Sequence, residues 1–370
     1  MPKTAVRKDK RRSTAPKANA FLACTTEERE QLLNDLQALR SDRIQGFLEV
    51  HGLPKTGTKP ELAKRALQAV ENTGISLDAF AEFLDGQALW GKQHVFLLGS
   101  PASRGSPRLD PREWGDKEWL RVHLADHRLS SRLNQRRPLV LPQQLELVTI
   151  EGSQLALRAV AVRRREGWER VEELDEERVD ETDGDIKLRA FKKVITRGLI
   201  SFEWDLANNV AMVQITQLPT HIHYEDVQAE FAALVSKWLP LERFPPVSLG
   251  PAVASLYAEA KKVGSDVRSH GVEFEALDGR RLHGKSKRAK QPLEGNAIID
   301  AALESMSKSN GIGNQGNFFF QVRAVGARTV DDEAHVIVWA SDINRINFTT
   351  PQDEATVRDV LQRIRAACRE

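Results

Sequence analysis

The stretch HGLPKTGTKPEL, His51 to Leu62, makes one helix end and another begin within a dozen positions. Gly52 is placed to close the first helix in the left-handed conformation that glycine adopts cheaply. Leu53 can fold back onto that helix, and Pro54 bars its continuation. Gly57 permits the turn into the next helix, where Thr58 is the N-cap and Glu61, three positions on, completes a capping-box pattern. Lys59 falls in the first turn, where the helix dipole favours an acid, so its charge needs a reason other than folding. Amides at a helix start bind phosphate oxygens. Lys55, Lys64 and Arg65, with Arg43 on the preceding helix, bring positive charge to the same anion. The pattern suits a DNA backbone, gripped by charge and not read base by base.

The flanks are helical. Thr25 with Glu28 reads as a second capping box, opening a helix whose stripe is Leu32, Leu33, Leu36 and Leu39. A further helix runs through Ile44, Phe47 and Leu48, a third carries Leu62, Ala66, Ala69 and Val70, and SLDAFAEFLDGQ forms a fourth. Residues 25–90 are therefore expected as a small all-helical domain. Within it, Leu39, Ile44, Leu48, Gly52-Leu53-Pro54, Gly57-Thr58-Lys59, Glu61-Leu62, Arg65 and Leu67 form a pattern, over about residues 39–70, that resembles the SAP domain, a helix–loop–helix DNA-binding module. Ser41 stands where an aliphatic is usual, and Ala66 replaces a common leucine. The resemblance implies duplex DNA as partner, contacted through Lys55, Gly57, Thr58, Lys59 and Lys64 with weak sequence preference.

From KQHVFLLGSP onward the pattern changes to strands mixed with helices, giving an α+β chain with mostly antiparallel strands. Val95–Leu98 reads as a buried strand, and a helix is expected from Lys117 to Asn134. Two strands flank Glu151-Gly152, and residues 166–186 form an exposed acidic segment. The clearest hairpin, LISFEWDLANNVAMVQIT, turns at Ala207-Asn208-Asn209. Residues 91–240 and 241–370 are expected as two α+β domains, each ending in a hairpin and an amphipathic helix. The glycine-rich NGIGNQGN, lacking the lysine of a phosphate loop, is expected as a flexible turn.

The chain has 370 residues, 41% hydrophobic and 29% charged. It has no apolar run long enough for a membrane helix, and it is expected in the cytoplasm, near the nucleoid in a bacterium. Its first twenty residues carry Lys3, Arg7, Lys8, Lys10, Arg11, Arg12 and Lys17 against Asp9, a disordered basic tail (1–24) suited to a polyanion. A second basic run, Arg280, Arg281, Lys285, Lys287, Arg288 and Lys290, is expected in a loop that tracks phosphates.

No serine elbow, paired-cysteine zinc signature or nucleotide-binding loop is present, so no catalytic residue, metal or cofactor is assigned. His123 and His127, His221 and His223, and Glu203 and Asp205 have ligand-like spacings that stay incomplete. The expectation is a non-enzymatic DNA-binding protein whose body makes further nucleic-acid or protein contacts. A nuclease-like effector and a homo-oligomeric scaffold are the alternatives.

Overall fold

The computed structural model describes residues 21–369 apart from 22, 73, 103–107, 136, 172–175, 181–183, 219–221, 277, 288–291, 294–296, 309–310, 323–332 and 341–343. The first twenty residues, Arg288 and Lys290 thus lie outside the described residues, whereas Phe21, expected within the disordered tail, is buried in the helical core. Four helices open the chain: α1 (Thr26–Ala38), α2 (Ser41–Val50), α3 (Lys59–Glu71) and α4 (Leu77–Trp90). Both capping boxes form. In α1 the Thr25 amide donates to Glu28 at 2.7 Å, and the Glu28 amide returns to the Thr25 hydroxyl at 3.2 Å. The apolar stripes meet in a core of their own, including Leu32, Leu36, Ile44, Leu48, Leu62, Ala66 and Phe80.

The body continues with β1 (Gln93–Leu98), α5 (Pro111–Gly115), α6 (Lys117–Asp126), β2 (Glu146–Gly152), β3 (Ala156–Arg170), β4 (Glu176–Asp180), β5 (Gly184–Leu188), β6 (Phe191–Asp205) and β7 (Val210–Thr216). Then come α7 (Tyr224–Val235), α8 (Gly250–Ala260), β8 (Val267–Glu275), β9 (Arg281–Lys285), α9 (Ala297–Lys308), β10 (Ile312–Gln321), β11 (Glu333–Trp339), β12 (Arg345–Phe348) and α10 (Glu354–Ala367). Ten strands form one antiparallel sheet in the order β2-β3-β6-β7-β1-β12-β11-β10-β8-β9, and β4 pairs with β5 separately. The fold is α+β, as expected.

Residues 91–240 and 241–370 meet in that sheet. β1 pairs with β7 on one side and with β12 on the other, Val95 opposite both Gln214 and Ile346. Every residue of β1 is buried. The helices that follow the two strand runs cover opposite faces. Val227, Phe231 and Val235 of α7 pack with Phe96, Val213 and Phe202, while Val357, Val360 and Ile364 of α10 pack with Val95, Val336 and Phe348. α1 and α4 lie on the α10 side, where α1 is tied to β6 by the buried pair Asp35–Arg197 at 3.1 Å.

Three local expectations are corrected. The helix expected to reach Asn134 stops at Asp126, because Arg128 takes a φ of 60° and the chain bends into a short turn that lets Leu129 and Leu133 join the core. The acidic segment is not an open stretch: β3 runs through Glu166 and Trp168 to Arg170, and β4 and β5 follow. From Ile312 onward NGIGNQGN is also strand, the start of β10, while Asn310 lies outside the described residues. Gly313 within it serves close packing of α8. A Cβ on Gly313 would stand 2.6 Å from Val253 Cβ and 2.8 Å from the Gly250 carbonyl oxygen. Gly313→Ala is thus expected to destabilise by about 1–3 kcal/mol in urea unfolding. A loss under 0.5 kcal/mol, roughly the level of a neutral surface change, would show that α8 and β10 have room to part.

Candidate nucleic-acid interface

The loop between α2 and α3 is built by local bonds. Gly52 takes a φ of 69°, and the Leu53 amide donates back to the Leu48 carbonyl at 2.8 Å, folding Leu53 against the helical core. Gly57 has a φ of 132°, and a Cβ there would stand 2.7 Å from Glu61 Oε2, so the turn requires glycine. Glu61 accepts the Thr58 amide at 2.7 Å, and that bond holds its carboxyl below the ordinary range.

The cations nominated by the sequence divide by what they touch. Arg65 donates through Nη1 to the carbonyls of Pro54 (2.6 Å) and Thr56 (2.9 Å), stapling the loop to α3. Arg43 donates through Nη2 to the Pro351 carbonyl at 2.6 Å, fastening α2 to the segment before α10. Lys55 pairs with Glu49 at 2.7 Å on the surface, where such pairs are weak and exchange readily. Lys64 is exposed.

Lys59, at the first position of α3, differs from these. It lines a groove of about 580 Å³ whose floor is Asn34 and Gln37 of α1 and whose far wall is the β3–β6 ribbon. The wall presents Arg165, Glu166, Trp168 and Lys193. Arg165 Nε donates to Thr196 Oγ1 at 3.0 Å, which aims the guanidinium. Glu166 is neutralised by Lys193 at 2.6 Å and Arg164 at 3.1 Å. Among the described residues the Gly57 and Lys59 amides have no hydrogen-bond partner, whereas Thr58 and Glu61 are closed in their box and Pro60 has no amide proton. Lys59 thus stands in a groove whose far wall carries two more cations, with the free Gly57 amide two residues before it.

Sequence reasoning missed Trp168 and Lys193. One signal was present: Arg164, Glu166, Trp168 and Arg170 alternate with the period of a strand.

The second basic run is not a loop throughout. Arg281 and Lys285 belong to β9, an edge strand, and charged edge strands resist unwanted pairing. Arg280 pairs with Asp278, and Arg281 pairs with Glu275 at 2.8 Å, while Lys285 and Lys287 are exposed.

No family model matches the chain, and the curated proteins gave no match. The residues alone must therefore carry the reading.

Chemistry has little support among them. No group of three or more metal-ligating side chains occurs among the described residues. Glu203 is gripped by two arginines, Arg158 Nη2 at 2.7 Å and Arg358 Nη1 at 2.6 Å, and Asp205 accepts from Asn208. His123 bonds the Trp238 carbonyl and stacks on Trp119, while His221 lies outside the described residues. Thr349 Oγ1 stands 2.6 Å from His335 Nδ1, and His335 Nε2 stands 2.5 Å from Asn317, an order reminiscent of a nucleophile relay. Burial, with His270 and Arg268 nearby, holds His335 down to about 4, and Phe319 stacks on it at 4.3 Å. A base that weak does not activate a hydroxyl at neutral pH.

Proposed function

We propose that this chain binds duplex DNA along its phosphate backbone with little sequence preference, through a SAP-like helix–loop–helix at its N-terminal end. The observation that carries the reading is the start of α3. Lys59 lines a groove whose opposite wall supplies Arg165 and Lys193, at the end of a loop fixed by Arg65 and two glycines. A prearranged cationic groove binds phosphates without ordering itself first, and its affinity falls with salt as counterions are released. Lys55 and Lys64 flank the groove mouth in sequence, and Lys285 and Lys287 add a second cationic surface. The basic tail supplies further charge of the same kind.

The test is fluorescence anisotropy on a labelled duplex across a salt series. The Lys55/Lys59/Lys64→Ala variant is expected to bind at least about tenfold more weakly and to flatten the slope of log affinity against log salt by about 0.9 per phosphate contact removed. Binding and slope equal to wild type would remove the loop as the grip. Denaturation midpoints of the two proteins should coincide, since none of the three lysines is buried.

A further inference from the structure

The ribbon formed by β3 and β6 outruns the sheet. β2 accompanies β3 as far as Val162, and β7 accompanies β6 only from Ile200 onward, yet β3 and β6 stay paired out to Arg170 and Phe191. On this projecting part Trp168 is 71% exposed, directly across from Lys193. Among the described residues its indole meets no other ring and no hydrogen-bond partner. Phe191, two pairs further out, is 53% exposed. Large apolar side chains displayed on a solvated ribbon contribute nothing to this chain's cores, and they mark a contact surface.

The surroundings define what the contact takes. Trp168 stands at the rim of the groove on the same ribbon face as Lys193, with Lys59 across from it and Arg165 entering from the ribbon's other face. The acid in that groove, Glu166, is already neutralised twice. An aromatic face beside Lys59 and Lys193, in a groove that Arg165 also lines, fits a ligand with its own flat ring and a negative backbone. A volume of about 580 Å³ holds one such unit with its flanking charges. Every base offers a π-face, so stacking recognises a nucleotide without demanding a sequence. In an intact duplex those faces are hidden in the stack, and they become reachable at a gap, an end or a flipped base.

We infer that the groove between α1, the start of α3 and the β3–β6 ribbon holds an unpaired nucleotide of DNA, its base stacked on Trp168 and its phosphates set against Lys59, Arg165 and Lys193. This rests on the DNA-binding reading above and narrows it: the preferred substrate is a duplex interrupted by a gap or ending in a single-stranded overhang. Asn34, Gln37 and Gln217 supply polar atoms to the base edge, in a number too small to read a particular base.

The experiment compares a labelled duplex with the same duplex carrying a one-nucleotide gap, with 2-aminopurine placed opposite the gap. Wild type is expected to bind the gapped DNA about tenfold more tightly, as one base–aromatic stack provides, and to quench the 2-aminopurine. Trp168→Ala is expected to lose both the preference and the quenching while keeping wild-type affinity for intact duplex. Trp168→Phe keeps most of the preference. The exposed position makes these variants safe for folding, which coincident melting curves check. Equal affinity of wild type for gapped and intact DNA, or a preference that survives Trp168→Ala, overturns the inference and leaves duplex binding standing. Failure to bind either DNA overturns both.

Discussion

Replacing Arg197 with methionine is expected to destabilise the protein by about 3–5 kcal/mol, because it strands the Asp35 carboxylate inside. Arg197 and Asp35 are 4% and 7% exposed, and the guanidinium reaches Asp35 Oδ2 through Nε at 3.2 Å and Nη2 at 3.1 Å. Gln31 donates to the other carboxylate oxygen at 2.9 Å, and the Pro138 carbonyl accepts from Arg197 Nη1. The pair is the polar fastener between α1 and β6, hence between the helical unit and the sheet. Removing both charges together, as Asp35→Leu/Arg197→Met, is expected to recover much of the loss, since no buried charge is then stranded and only the neutral Gln31 amide and Pro138 carbonyl lose a partner. Urea unfolding of the four proteins closes the cycle. A single-variant loss below about 1 kcal/mol would mean that water reaches the pair. Hydrogen exchange should locate the damage in α1 before it appears in α10.

The second large effect concerns Glu203. It is 4% exposed, and the two arginines that hold it also lie over the Trp90 ring, Arg158 at 5.6 Å and Arg358 at 5.1 Å. Burial pushes its carboxyl up, but the hydrogen bonds and charges of Arg358 and Arg158 outweigh burial and hold it below its ordinary 4.5. A carboxyl held low in the folded state binds fewer protons there than in the unfolded chain. Its contribution is therefore complete above about 4.5 and is lost as pH falls through the lower folded value. Glu203→Gln is expected to cost ~2 kcal/mol at pH 7, because Arg158 and Arg358 lose their buried anion and keep only the more exposed Glu151 and Glu354. The variant should also show a shallower loss of stability below pH 4.5 than wild type. An unchanged acid limb would place the acid sensitivity elsewhere.

What was legible beforehand follows a physical division. Helix starts in the first ninety residues were readable because Thr25–Glu28 and Thr58–Glu61 bond across three positions, and such contacts leave their mark in local sequence. The turn at Asn209, whose φ is 52°, was readable for the same reason. The single sheet was not, since the pairing of Gln93 with Phe348 and Thr216 depends on strands far away. Gly313 read as a turn because glycine breaks local structure, whereas here it admits the α8 backbone. Arg43 and Arg65 read as ligand contacts because charge is visible in a sequence and its partner is not. Each has a backbone carbonyl at 2.6 Å, one of them more than three hundred residues away. Trp168 went unnoticed among acids whose strand pairing was hidden.

The central position of β1 sets when this protein can be finished. Its partners arrive at different times: β7 about 120 residues later and β12 about 250 residues later. On a ribosome, the five strands from β2 to β1 can assemble while the remainder is still unsynthesised. That intermediate would present the Gln93–Val95 edge of β1, its backbone unpaired, to every other nascent copy nearby. Production of full-length protein should therefore be limited by self-association of half-made chains, and slower synthesis should worsen it. A chain cut after residue 240 would carry that open edge permanently.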